Sequence, residues 1–117
     1  MLKVKRVYEA PETSDGARFL VERLWPRGMK KESLHTDGWL KEVAPSGALR
    51  RWFGHDPVKW NEFKGRYFAE LGKKPEALSP LLAAAGKGNV TLLYSAHDVV
   101  HNNALALKEY LEEHSQK

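Results

Sequence analysis

Apolar positions in the chain follow two rhythms, a short period near two and a longer one near 3.6. Residues 2–8, LKVKRVY, set Leu2, Val4, Arg6 and Tyr8 against Lys3, Lys5 and Val7, an alternation that predicts a strand. EAPETSDG, rich in turn formers, reads as the loop that follows. ARFLVERL, residues 17–24, predicts a second strand, closed by Pro26 and Gly28. NVTLLYSA, residues 89–96, is a compact run without charge. Such a run suits a central parallel strand covered on both faces.

Between these runs the spacing is helical. Ser46 can cap a short helix over GALRRWF, with Gly54 ending it. Asp56 and Pro57 suit the cap and first position of the clearest helix, with Trp60, Phe63, Tyr67 and Leu71 as its apolar stripe. Glu62, Arg66 and Glu70 lie on its other face at i, i+4 spacing, and Gly72 closes it. KPEALSPLLAAAGKG predicts a helix that Pro80 restarts or kinks. Asp98 is expected to cap the last helix, whose stripe is Val100, Ala104, Leu107 and Leu111; its tail EEHSQK is expected to fray. Residues 29–45 are harder to read. Trp39, Leu40 and Val43 suggest a short helix before Pro45, against which Gly38 argues.

Strands alternating with helices predict an α/β fold: one small domain over residues 1–117, a mostly parallel sheet and flanking helices. In such sheets ligands bind outside the C-terminal ends of the strands. Here those ends are Tyr8, the turn at residues 25–28 and residues 94–98.

Composition narrows the chemistry. With no cysteine among 117 residues, disulfides, thiolate nucleophiles and cysteine-ligated metals are excluded. No signal-peptide core and no apolar run of membrane-spanning length is present, so a cytoplasmic protein with no membrane partner is the expectation. The net charge of +4 is uneven: residues 1–51 carry 11 Lys/Arg against 7 Asp/Glu, and the remainder balances. Arg23, Arg27, Lys30 and Lys31 form a stretch without an acid, which suits either an anionic partner or an ordinary basic surface.

Two strings could carry function. In VERLWPRG, Glu22 and Arg23 bring charge into a strand, and Arg27 hangs at its exit beside Trp25, Pro26 and Gly28. Arg23 and Arg27 form an anion clamp in one reading. In the other, Arg23 makes a structural ion pair with Glu22, Asp98 or another carboxylate. Gly28 would let the backbone approach a ligand, while Tyr8 or Trp25 could stack on one. In YSAHDVVHNNA, His97 and His101 stand four apart around Asp98. His101, positioned by Asp98 or an asparagine, is the proton-transfer candidate, while Asn102 and Asn103 are candidates to bind a ligand. A metal set is not expected, since the string is not H-E-x-x-H and no third ligand is identified. WFGHDP, with His55, reads first as a corner between helices. No Walker loop, dinucleotide fingerprint or nucleophile elbow is present, and no cofactor is indicated.

VERLWPRG, WLKEVAPS, LRRWFGHDP and TLLYSAHDVVHNNA, in that order, resemble the domain of unknown function 488 family in its YeaO-like branch. The resemblance covers nearly the whole chain and implies a small single-domain α/β fold without an assigned reaction. It extends to the positions of Arg23, Trp25, Pro26, Arg27, Gly28 and the string His101-Asn102-Asn103. The position of His97 is often lysine in that pattern, which argues against a catalytic or metal-ligating His97 and leaves room for a cationic role. The resulting expectation is a small anionic ligand, a nucleotide or phosphorylated metabolite, at the strand ends. The alternative is a nucleic-acid- or protein-binding module that uses the basic first half, including Lys3, Lys5, Lys30 and Lys31, without catalysis.

Overall fold

A computed structural model describes residues 1–114 as a four-stranded parallel sheet with four α-helices, an α/β fold. The strands are β1 (Leu2–Arg6), β2 (Ala17–Leu20), β3 (Gly38–Trp39) and β4 (Val90–Tyr94), in the spatial order β1-β4-β2-β3. Val4 and Phe19 both pair with Leu92, so β4 is central, and all five of its residues are buried. The helices are α1 (Gly47–Phe53), α2 (Trp60–Gly72), α3 (Ser79–Ala85) and α4 (Asn103–His114).

The two faces of the sheet are covered differently. Val90, Leu92 and Tyr94 share one core with buried residues from all four helices, including Leu49, Phe63, Tyr67, Leu81 and Leu107. Leu20 and Leu93 point the other way, into a smaller cluster built from Val7, Trp25, Met29 and Leu34 of the connecting segments and Trp39 of β3. Thus β4 is covered on both sides, but the core helices pack on one side only.

The second face also holds a buried charge cluster. Asp15 is fully buried and pairs with Lys3, Lys5 and Arg18. Its carboxyl lies well below the usual carboxylate range. Burial pushes it up, but the Glu12 N–H and the three cations outweigh burial. Lys5 is raised in turn: burial opposes its charge, and hydrogen bonds to Glu12 and Asp15 more than offset that.

Several element boundaries differ from the sequence pattern. β1 stops at Arg6 because Glu9 folds back on it, its carboxylate accepting the Arg6 N–H at 2.7 Å. β2 ends at Leu20 rather than 24: the Val21 N–H still reaches the Leu93 carbonyl, but the Val21 carbonyl accepts from Asn103 and the Glu22 carboxylate accepts from Ser95. Trp39 belongs to β3, and only a 3-10 turn, Lys41–Val43, stands where a short helix was expected. Gly38 fits closely there: a Cβ would come within 3.2 Å of the Phe19 ring, which would have to shift to admit it.

Asp56 caps a 3-10 turn, Pro57–Lys59, that leads into α2, and a 3-10 turn at Pro75–Leu78 precedes α3, so the restart falls where Pro80 suggested. Asp98 does not cap α4. It closes the preceding turn through the N–H groups of Val100 and His101, while Asn102 accepts the Leu105 N–H and is the true cap. Val100 is accordingly exposed rather than part of the α4 stripe. Of the tail expected to fray, residues 112–114 are helical and residues 115–117 lie outside the described residues. Among the described residues no helix is long and apolar enough to cross a membrane.

Candidate functional site

All strands run the same way, so their C-terminal ends share one edge of the sheet. The exit of β4 is gripped there from both neighbours. From β1, Arg6 donates to the carbonyls of Ala96, at 2.9 Å, and Ser95, at 3.3 Å. From beyond β2, Glu22 Oε1 accepts the Ser95 N–H at 2.8 Å and the Ser95 hydroxyl at 3.0 Å. Asn103 Nδ2 donates to the Val21 carbonyl at 2.8 Å and pins the start of α4 to the same edge.

A cleft of about 590 Å³ opens above this junction, a volume typical of small-molecule sites. One wall is the β4–α4 turn, with Ser95, Ala96, His97, Asp98, His101, Asn102 and Asn103. The facing wall is Pro45, α1 and the residue after its glycine stop, contributing Arg50, Arg51, Phe53 and His55; Glu22 and Phe63 complete the lining.

Local sequence sets this facing wall. Ser46 caps α1 by accepting the Leu49 N–H, and Glu70 of α2 clamps the cap, taking the Ser46 N–H at 2.9 Å and its hydroxyl at 2.6 Å. Glu70 therefore does not continue the i, i+4 ladder, which is left to Glu62 and Arg66. Gly54 ends α1 in the left-handed region, and His55 continues there at φ 59°. A histidine enters that region at a cost of about 1 kcal/mol, and such strain is often found at functional sites.

The charges are unequally engaged. Glu22 is held by Ser95, and Asp98 accepts the Val100 and His101 N–H groups and pairs with His101 Nδ1 at 2.9 Å. These bonds hold the Asp98 carboxyl below its ordinary range, the backbone N–H groups being the larger cause. By contrast, the Arg50, Arg51, His55 and His97 side chains make no hydrogen bond or ion pair among the described residues. The cleft thus holds two guanidinium groups without an internal partner among the described residues, beside two carboxylates that accept hydrogen bonds from the chain. The His101 ring stands edge-on to Trp60, with centres 5.4 Å apart.

Of the residues singled out from the sequence, Glu22, His55, His97, Asp98, His101, Asn102 and Asn103 line this cleft, whereas Tyr8, Arg23, Trp25, Arg27 and Gly28 do not. Arg23 donates from Nε to the Pro45 carbonyl at 3.2 Å, a backbone oxygen rather than a carboxylate, and its other guanidinium nitrogens make no hydrogen bond among the described residues. Trp25 bonds the Met29 carbonyl and packs edge-on against Trp39 in the smaller core. Gly28, at φ 77°, shapes the turn in which the Met29 N–H reaches the Pro26 carbonyl; a Cβ there would meet nothing within 4 Å, so no close approach requires it. Arg27 is exposed, and its carbonyl accepts the Tyr8 hydroxyl at 3.3 Å. Tyr8 lines a separate hollow of about 250 Å³.

Sequence reasoning passed over Arg50 and Arg51, which look like the polar face of a short helix. Their one available signal is two adjacent arginines just ahead of a glycine stop, and only the tertiary fold turns them toward the β4 exit. Among the described residues no group of three or more histidine, aspartate or glutamate side chains could hold a metal.

Comparison with known proteins sets this geometry in a family. A profile described as "Inactive DUF488-N3 subclade" matches residues 1–117. The chain belongs to this subclade. It is 44% identical over 110 residues to the uncharacterized protein YeaO of Escherichia coli K12, covering 94% of this chain and 96% of that one. It is 38% identical over 110 residues to the uncharacterized protein Rv3073c of Mycobacterium tuberculosis H37Rv, covering 94% and 92%. The uncharacterized protein Mb3100c of Mycobacterium bovis is similar to the same degree. No solved structure matches. The DUF488-N3 chain is thus matched by relatives across nearly its full length, and the cleft-lining residues all fall within the profile match.

Proposed function

We propose that the protein binds a small anionic ligand, a phosphorylated metabolite or nucleotide, in the cleft at the C-terminal edge of its sheet, and does so without turning it over. The observation that carries this reading is the imbalance within the cleft. Arg50 and Arg51 have no partner among the described residues, whereas Glu22 and Asp98 are engaged by neighbouring N–H and hydroxyl groups. Guanidinium groups recognise phosphate and carboxylate through paired donors. His55 and His97 add further donors at the rim. His101, oriented by Asp98, offers its second ring nitrogen to the ligand. The description of the matching subclade as inactive favours binding over catalysis.

Arg50 and Arg51 replace Arg23 and Arg27 as the anion holders in this account, because neither Arg23 nor Arg27 lines the cleft. The nucleic-acid alternative has less support: Lys3 and Lys5, part of the basic first half, are tied to Asp15. The reading is of a cytoplasmic protein, in keeping with a chain without cysteine.

Thermal melting in the presence of inorganic phosphate, phosphomonoesters and nucleotides tests the proposal. A concentration-dependent rise in Tm is expected for at least one of them, and the rise is expected to disappear in Arg51→Ala. A flat response across the panel in the wild type contradicts it.

A further inference from the structure

The cleft carries one recognition element that an anion does not explain. Glu22 lies in its lining with one carboxylate oxygen occupied: Oε1 accepts both the N–H and the hydroxyl of Ser95. Oε2 has no hydrogen-bond partner among the described residues, and no buried side-chain oxygen is left unsatisfied, so Oε2 is open to solvent. An ionised carboxylate accepts about four hydrogen bonds, and the two used by Ser95 also fix its orientation. A cleft that seats an anion on two arginines would repel it from a bare carboxylate. A ligand that satisfies both the arginines and Glu22 therefore has an anionic group in one part and N–H donors in another.

The lining also includes apolar and aromatic residues: Ala96, and Phe53 and His55 with ring centres 6.3 Å apart. Such a lining favours a flat ring over a flexible amine. On these grounds we infer that the ligand is a nucleoside phosphate whose base carries an exocyclic amino group, with Glu22 Oε2 accepting from that amino edge and Arg50 and Arg51 holding the phosphate. The inference rests on the anion-binding reading above and adds the chemistry of the ligand's second end. Carboxylates are used in this way to read base amino groups elsewhere.

The test is calorimetric titration of the full chain with AMP, CMP and GMP, each compared with UMP, ribose 5-phosphate and O-phosphoethanolamine. At least one amino-bearing nucleotide is expected to bind about tenfold or more tightly than the three comparison compounds, the scale of one hydrogen bond to a charged group. Glu22→Gln keeps an oxygen for Ser95 and removes the charge. It is expected to abolish that preference while ribose 5-phosphate binding is retained or tightened, since a negative charge near the anion is removed. Equal binding of all nucleotides and ribose 5-phosphate overturns the inference and leaves the anion site standing. Absence of binding by every compound overturns both. O-phosphoethanolamine binding as tightly as the best nucleotide overturns the flat ring, and a preference that survives in Glu22→Gln overturns the role of Glu22. The wild-type comparison needs no variant, so it decides the ligand class even if Glu22→Gln fails to fold.

Discussion

Single residues in this protein separate by whether their charge is answered inside the chain. Asp15 is answered three times over, by Lys3, Lys5 and Arg18, in a fully buried cluster. Asp15→Asn leaves Lys5 and Arg18 buried with their main counter-charge gone, so a loss of about 3–5 kcal/mol is expected in urea unfolding. The pH dependence follows from the depressed carboxyl. An unfolded Asp15 takes up a proton at a higher pH than the folded one, so its stabilisation is complete above the ordinary aspartate range near pH ~4 and is lost as pH falls toward the lowered folded value. The wild type should therefore lose stability steeply in acid, and Asp15→Asn should show a shallower acid limb. The raised Lys5 has the opposite sign: its contribution is complete below the ordinary lysine range and fades as pH rises through the folded value. His55 is a different case, with a strained backbone and no partner among the described residues. His55→Gly should leave stability unchanged or raise it by up to about 1 kcal/mol, the relieved strain being partly offset by the freedom of glycine in the unfolded chain. Phosphate-ester affinity should fall in the same variant. Unchanged affinity would remove His55 from the site.

At the scale of elements, the first turn of α1 decides how the cleft is presented. Ser46 caps it and Glu70 clamps the cap from α2, so α1 is set by a side-chain network rather than by length: seven residues are too few to hold a helix by themselves. Ser46→Ala is expected to cost about 1–2 kcal/mol and to weaken ligand binding through misplacement of Arg50 and Arg51. A stability loss without an affinity loss would mean that α1 does not position the site. This is also where sequence was informative and where it was not. The Ser46 cap, the Gly54 stop and the apolar stripe Phe63, Tyr67, Leu71 are local signals, and each is found in place. The end of β2 was not legible, because the partners of the Val21 carbonyl and the Glu22 carboxylate, Asn103 and Ser95, lie more than 70 residues away. The cap of α4 was misplaced for a nearer reason. Asp98 and Asn102 are both good caps, and the turn between them uses the first and leaves the helix to the second.

For the molecule as a whole, one parallel sheet directs the exits of β2 and β4 to the same edge, and the helices stand on one face of it. The α/β class follows from the alternation of strand and helix patterns and from the uncharged run that became β4. The site was half legible. The β4–α4 string was recognisable as polar chemistry at a strand exit, whereas the arginines opposite belong to α1 and meet that exit only after the chain has folded. Arg27, the residue that looked most available, is exposed but lies outside the cleft lining. The account's central claim is that Arg50 and Arg51 hold an anion at this edge. The most direct measurement is calorimetric titration of a phosphomonoester into wild type, Arg27→Ala and the double variant Arg50→Ala/Arg51→Ala, with circular dichroism to establish that all three are folded. Wild type and Arg27→Ala should bind alike, and the double variant should lose at least about tenfold in affinity. Equal affinity in all three, or loss in Arg27→Ala alone, would contradict the account.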